Sequence, residues 1–102
     1  MRILVDLMGG DLAPAAVIDG ARLALAREPG LEIGLVGVPE AVATARAALD
    51  GHPAVSYIEA TETITNDEQP ALAVRRKRDS SIVVGLGRVK AGEADAFVSC
   101  GP

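Results

Sequence analysis

Short apolar runs alternate along this chain with longer segments of helical periodicity, and that alternation constrains the fold more than any other feature. The runs are RILVDL (2–7), LEIGLVG (31–37), AVSYIEA (54–60) and DAFVSC (95–100). Continuous apolar runs of this length are typical of parallel strands buried on both faces. Because strands that alternate with helices form βαβ units, the sequence predicts an α/β fold with a parallel sheet and helices on both faces.

Proline and glycine mark the ends of the predicted helices in the first half of the chain. Pro14 and Pro39 stand where two helices would begin, because proline lacks the N–H that a first helical turn leaves unbonded. Asp11 lies just upstream of Pro14, in a position to cap the first helix. Pro29 and Gly30 end that helix.

Two further helices are predicted in the second half of the chain. Pro70 starts a short helix that runs into a basic stretch, and Asp79 or Ser80 can cap the helix that follows. The apolar face of this last helix is predicted to contain Ile82, Leu86 and Val89, and Ala91 and Gly92 are predicted to end the helix.

The composition excludes several classes of protein. A net charge of −4 argues against nucleic-acid binding, which needs a basic surface. One cysteine and one histidine allow neither an internal disulfide nor a zinc site, and we expect no metal or other cofactor. The short run before Asp6 is not a signal peptide, and no segment approaches the roughly 20 apolar residues that span a bilayer. The sequence therefore predicts a cytoplasmic protein.

The length of the chain, 102 residues, suits one small domain or part of a larger one. We expect no internal boundary within 1–102. The chain stops at Gly101 and Pro102, directly after a predicted strand, where the loops of an open parallel sheet form the ligand crevice. We therefore expect this chain to be the first part of a longer protein.

The stretch DLMGGDLAP (6–14) allows two interpretations. Gly9 and Gly10 follow a strand, so a phosphate could approach the backbone N–H groups there. The stretch matches neither the dinucleotide fingerprint nor the P-loop, and a tight turn with a capped helix is the simpler interpretation. Asp6 is harder to explain in this way, because an unpaired carboxylate at the end of a buried strand would be costly.

The stretch RRKRDSS (75–81) also has two interpretations. The hydroxyls of Ser80 and Ser81 and the first N–H groups of the next helix could contact a phosphate, with Arg76 supplying positive charge. Alternatively, the basic residues form a solvated helix end, where cations meet the helix dipole favourably. The pattern alone favours the second interpretation.

The only cysteine, Cys100, lies at the end of the last predicted strand. It could act as a nucleophile only with a base beside it. His52 is the only histidine and lies in a turn, with no sequence reason to meet Cys100. A buried, inert thiol is therefore the favoured interpretation.

Three motifs carry a resemblance to a known family. VDLMGGDLAP (5–14), RRKRDSS (75–81) and GEADAFVSCG (92–101) resemble, in order, the N-terminal signatures of the bacterial phosphate acyltransferases of phospholipid synthesis, the PlsX family. The resemblance covers essentially the whole chain, although family members are much longer. It implies an enzyme that transfers a fatty acyl group from acyl carrier protein to inorganic phosphate, giving an acyl phosphate.

The resemblance also implies a fold, an assembly and a location. The family has a Rossmann-like sheet within a fold similar to that of the isocitrate and isopropylmalate dehydrogenases. Its members are usually homodimers, and they are soluble or peripherally associated with the inner face of the membrane.

Site residues follow from the resemblance by motif. It implies three walls of a substrate and phosphate cleft, formed by Gly9, Gly10 and Asp11, then by Asp79, Ser80 and Ser81, and then by Ser99 and Gly101. Asp6 and Arg76 would support these walls, and no catalytic residue is assigned. The family reads Ser-Ala-Gly-Asn where this chain has Ser99 to Pro102, so Pro102 removes an N–H and an amide from the third wall.

Two other functions remain open from the sequence. One is a non-catalytic α/β module that binds an anion or a nucleotide, and the other is a structural fragment without an independent role. We also expect these 102 residues alone to lack acyltransferase activity, because the family's later catalytic region lies beyond Pro102.

Overall fold

One parallel sheet and the helices packed on it make up the described part of the molecule. The computed structural model describes residues 1–8, 13–61 and 80–99. The strands are β1 Arg2–Asp6, β2 Glu32–Gly37, β3 Val55–Glu59 and β4 Ala96–Val98. The helices within these residues are α1 Ala15–Arg27, α2 Pro39–Leu49 and α3 Ser81–Lys90. The predicted α/β fold with a parallel sheet is confirmed.

The helix boundaries follow the predicted proline and glycine signals. α1 begins directly after Pro14, and α2 has Pro39 in its first turn. Ser80 caps α3, as predicted, because its Oγ accepts a hydrogen bond from the N–H of Val83 at 3.4 Å. Gly92 follows α3 with a φ of +82°, a left-handed conformation that glycine adopts without strain. The predicted helix at Pro70 and the predicted caps Asp11 and Asp79 lie outside the described residues.

The sheet has the strand order β3-β2-β1-β4, with every neighbouring pair parallel. The chain adds β2 and then β3 on one side of β1, and β4 on the other side. The direction of winding therefore reverses between β1 and β4. In open α/β sheets, such a switch point leaves a crevice at the carboxyl ends of the strands.

The two faces of the sheet are covered by different helices. On one face, Ile33 and Leu35 of β2 join a buried cluster with residues of α1 and α2, including Ile18 and Val42. On the other face, α3 packs where Leu4 and Phe97 are register partners. Helices on both faces are thus present, as predicted. In the part of the chain that the structure describes, no helix is both long enough and apolar enough to cross a membrane.

The apolar face predicted for α3 is wrong in one respect. Leu86 is 53% exposed, whereas Ser81 and Gly85 are the buried residues of this helix. A Cβ added at Gly85 would overlap the ring of Phe97, so the helix approaches β4 through a glycine. The close approach turns the small residues toward the sheet, and Leu86, one residue further along, points away from it.

Candidate functional site

Asp6 ends β1 in a buried position and holds two segments together. The residue is only 2% exposed. Oδ1 accepts a hydrogen bond from the N–H of Met8 at 2.8 Å, and Oδ2 accepts one from the hydroxyl of Ser99 at 3.0 Å. An unpaired carboxylate in this position would be costly, and these bonds offset that cost. Asp6 therefore fastens the turn after β1 to the end of β4.

The contact between Asp6 and Ser99 lies at the switch point of the sheet. Val98 is the register partner of Val5, so the next residues along the two strands, Ser99 and Asp6, stand side by side at the carboxyl edge. This edge is where an open parallel sheet binds its ligand. The two predicted site residues thus meet where the topology leaves a crevice.

The direction of α3 places its first turn at the same edge. Arg88, in the last turn of α3, lines one cavity together with Arg2 and Leu4 near the amino end of β1. Gly85 stands over Phe97, in the middle of β4. The helix therefore runs antiparallel to the strands and begins near their carboxyl ends.

The rise per residue of a helix and of a strand shows that the first turn of α3 reaches the same end of the sheet as the Asp6–Ser99 contact. Ser81 comes four residues before Gly85, which is about 6 Å along a helix. Ser99 comes two residues after Phe97, which is about 6.6 Å along a strand. Gly85 lies against Phe97. Ser81 and Ser99 therefore lie at a similar level along the strand direction, near the carboxyl edge of the sheet.

Two serines begin α3, and their hydroxyls have different roles. Ser80 is 1% exposed and uses its Oγ to cap the N–H of Val83. Ser81 is 4% exposed, and no hydrogen bond of its hydroxyl is found among the described residues. Ser81 is the first residue of α3, so it stands at the end of the helix where backbone N–H groups lack partners.

The backbone of the same turn offers further donors. The first N–H groups of a helix have no partner within it. Ser80 satisfies that of Val83, and no partner for the N–H groups of Ser81 and Ile82 is found within residues 1–8, 13–61 and 80–99. These groups and the positive end of the helix dipole attract an anion. The start of α3 can therefore bind a phosphate-sized oxyanion through N–H and hydroxyl donors.

Four of the predicted site residues are described, and they lie at one edge of the sheet. They are Asp6, Ser80, Ser81 and Ser99. The other predicted site residues lie outside the described residues; they are Gly9, Gly10, Asp11, Arg76, Asp79 and Gly101. Sequence reasoning missed the N–H of Met8 as a partner of Asp6. The signal was present, because aspartate before a glycine-rich turn often accepts from the N–H two residues ahead.

The sheet topology and the start of α3 at the carboxyl edge of the sheet together define a class of protein. A doubly wound parallel sheet with a helix N-terminus at its switch point is the arrangement of α/β proteins that bind phosphate-containing ligands. A family model described as "Fatty acid synthesis protein" matches residues 1–102. The chain therefore belongs to the fatty acid synthesis protein family.

Curated relatives agree with this family and carry a more specific name. A "Phosphate acyltransferase" of Desulfitobacterium hafniense is 50% identical over 101 residues, 99% of this chain and 30% of the relative. Proteins of the same name from Desulforudis audaxviator and an Exiguobacterium species are 46% and 44% identical over 101 residues. The chain spans about 30% of the length of these relatives. The resemblance to the phosphate acyltransferases is confirmed.

Proposed function

We propose that this chain forms the phosphate-binding part of an acyltransferase that moves a fatty acyl group from acyl carrier protein to inorganic phosphate. The observation that carries the proposal is the first turn of α3, where Ser81 and the N–H groups of Ser81 and Ile82 lie at the switch-point edge of the sheet. An oxyanion is favoured at such a helix start. The printed name of the relatives, phosphate acyltransferase, supports phosphate as that oxyanion.

The reaction needs binding and orientation more than activation of a protein nucleophile. An oxygen of hydrogen phosphate attacks the thioester carbonyl carbon, a new C–O bond forms, and the C–S bond breaks. The proton of hydrogen phosphate ends on the thiol of the carrier protein. Orientation of the phosphate and stabilisation of the developing oxyanion supply most of the rate in such a transfer. The N–H and hydroxyl donors at the start of α3 are suited to orienting the phosphate.

The residues outside the described part complete the proposed cleft. In the sequence, Gly9, Gly10 and Asp11 come three to five residues after the end of β1, and Gly101 comes three residues after the end of β4, which supports their assignment to the cleft. Asp79 directly precedes Ser80, and Arg76 lies three residues earlier. We assign them to the phosphate and substrate walls on this placement and on the family.

The larger assembly is part of the same proposal. We take residues 1–102 as the N-terminal portion of one larger α/β domain with a fold like that of the isocitrate and isopropylmalate dehydrogenases. The relatives are about three times as long as this chain, which supports the larger domain. By the same resemblance, the complete protein is a cytoplasmic homodimer that associates peripherally with the membrane. Gel filtration and vesicle flotation of the complete protein test these two properties.

The test of function uses the complete protein, an acyl carrier protein thioester and inorganic phosphate. Acyl phosphate should form, and Ser81→Ala should raise the KM for phosphate by roughly tenfold while the KM for the thioester stays unchanged. Ser56→Ala is the matched control, because Ser56 is an exposed serine of β3 away from this edge. The 102-residue chain alone should form no acyl phosphate.

Three results would contradict the proposal. The first is a complete protein that forms no acyl phosphate. The second is Ser81→Ala acting on the KM for the thioester rather than on that for phosphate. The third is phosphate binding without any turnover, which would favour the non-catalytic anion-binding module.

A further inference from the structure

We infer that the outer edge of β4 and the side of α3 that carries Ile82, Leu86 and Val89 form an interface for a further strand of the complete protein, from outside residues 1–102. The inference rests on the proposed function in one respect, since it takes this chain as one portion of a larger domain. Its starting observation is that β4 pairs with β1 alone among the described strands, so the described sheet ends at β4.

Two contacts fix how α3 is rotated about its own axis. Gly85 faces the sheet, because a Cβ added there would overlap the ring of Phe97. Arg88 faces the inner strands, because it lines a cavity together with Leu4 of β1 and Ser56 of β3. The opposite side of α3 therefore points outward, past the free edge of β4.

Helical spacing places three apolar residues on that outward side. Successive residues of a helix are rotated by about 100°, so Arg88 lies about 60° from Gly85 in one sense around the axis. Ile82, Leu86 and Val89 lie about 40–100° from Gly85 in the other sense. Leu86 lies farthest round and is 53% exposed, whereas Ile82 and Val89 are partly buried. The apolar stripe of α3 thus extends over the open edge of the sheet.

The other face of the sheet is open at the same place. Side chains alternate along a strand, so Val98 points to the face opposite Phe97. Val98 is 48% exposed. A strand beside β4 would place side chains under Leu86 on one face and next to Val98 on the other, because its own side chains also alternate. One added strand therefore accounts for both exposed residues.

The two edges of the described sheet differ in their protection. β3, at one edge, contains the exposed Ser56 and Glu59, and charged side chains are a usual means of protecting a permanent edge. The three residues of β4, at the other edge, carry no charge. The relatives are about three times as long as this chain, so the complete protein has further chain that can cover β4. These observations favour a segment of the same protein over a second copy.

The experiment measures how fast iodoacetamide labels single cysteines in the native complete protein, with peptide mass spectrometry reading each position. Cys100→Ala is the background, so that the native thiol does not interfere. Leu86→Cys and Val98→Cys probe the two faces of the interface. Leu23→Cys is the matched control, because Leu23 on α1 is 54% exposed, nearly the same as Leu86.

Labelling should distinguish the interface from the control. Leu86→Cys and Val98→Cys should react at least about tenfold more slowly than Leu23→Cys, because a covered thiol reacts only when the covering segment opens. The slow reaction should persist when the protein is diluted to a monomer. Equal rates for Leu86→Cys and Leu23→Cys would overturn the inference. So would protection that is lost on dilution, because a second copy would then cover the surface.

Hydrogen exchange of the unmodified protein covers the case in which a cysteine variant does not fold. Alternate N–H groups of an edge strand point away from the sheet and exchange quickly, whereas a strand with neighbours on both sides has none of these. All three amides of β4 should therefore exchange as slowly as those of β2, which has a strand on each side. Fast exchange at alternate amides of β4 would contradict the added strand.

The acyl phosphate assay separates this inference from the proposed function. Slow labelling of Leu86→Cys in a protein that forms no acyl phosphate would support the interface and contradict the function. Acyl phosphate formation together with fast labelling would support the function and overturn the interface.

Discussion

Asp6 and Ser99 lie 93 positions apart in the chain, and a 3.0 Å hydrogen bond joins them at the carboxyl ends of β1 and β4. A second carboxylate acts at the opposite end of the same strand pair, where Oδ2 of Asp95 accepts from the N–H of Arg2 at 2.9 Å. The two strands share only three register pairs. The side chains of Asp6 and Asp95 therefore add a hydrogen bond at each end of this short strand pair. The buried Asp6 also links β1 to β4 at the switch point.

The first prediction compares these two aspartates. Asp6→Ala removes two bonds of a buried carboxylate and leaves their donors unpaired, so it should destabilise the complete protein by about 2–3 kcal/mol. Asp95→Ala removes one bond at an exposed position and should cost less than about 1 kcal/mol. Urea unfolding followed by circular dichroism measures both. Equal losses for the two variants would contradict the role given to burial.

The second prediction concerns the close approach of α3 to β4. Gly85→Ala places a methyl group against the ring of Phe97, and such overpacking should cost about 1–3 kcal/mol. Gly87→Ala is the matched control in the same helix, because nothing lies within 4 Å of its added Cβ. That control should stabilise the protein by up to about 1 kcal/mol, since alanine is the better helix former.

Thermal and urea midpoints of the two glycine variants decide this prediction. Phe97→Leu combined with Gly85→Ala should recover part of the loss, because the smaller side chain makes room for the methyl group. A Gly85→Ala variant as stable as Gly87→Ala would show that α3 does not rest on Phe97.

The third prediction uses a small residue in the middle of the sheet. A Cβ at Gly34 would lie 2.5 Å from Cδ2 of Leu4 and 3.2 Å from Oγ of Ser56. Leu4 is 1% exposed and has little room to move, so Gly34→Ala should destabilise the protein by about 1–3 kcal/mol. Leu4→Ala should cost about 2–5 kcal/mol through the cavity that it leaves.

The double variant is the informative measurement. The methyl group that Gly34→Ala adds should partly fill the cavity left by Leu4→Ala, so the combined loss should be smaller than the sum by about 1 kcal/mol or more. Unfolding free energies of the two single variants and the double variant give this coupling. Strictly additive losses would show that the two positions do not share space.

Much of the fold could be predicted because its signals are local. Pro14 and Pro39 mark helix starts through a missing N–H, and Gly92 marks a helix end through its left-handed backbone. The apolar runs mark strands through their continuity. Each of these depends only on residues a few positions apart.

The features that sequence reasoning missed depend on strand order and on helix orientation. The sequence assigns Ser99 to the third wall and Asp6 only to a supporting role, because no local pattern shows that β4 lies beside β1. The helical spacing of apolar residues places Leu86 on the buried face of α3, because its side chain is apolar. The contact with Phe97 instead selects Gly85, the residue small enough to allow close approach.

The last prediction concerns the stability of α3 and its affinity for an anion. Ser80→Ala removes the cap of Val83 and should destabilise the protein by about 1 kcal/mol. Ser80→Asp keeps a capping oxygen but puts a charge at a position that is only 1% exposed, so it should destabilise the protein more. The aspartate also places a negative charge at the proposed anion site, so it should weaken phosphate binding by roughly tenfold or more, while Ser80→Ala weakens it less. Urea unfolding and phosphate calorimetry on the same preparations measure the two effects. If Ser80→Asp binds phosphate as tightly as the unmodified protein does, the anion does not lie at the start of α3.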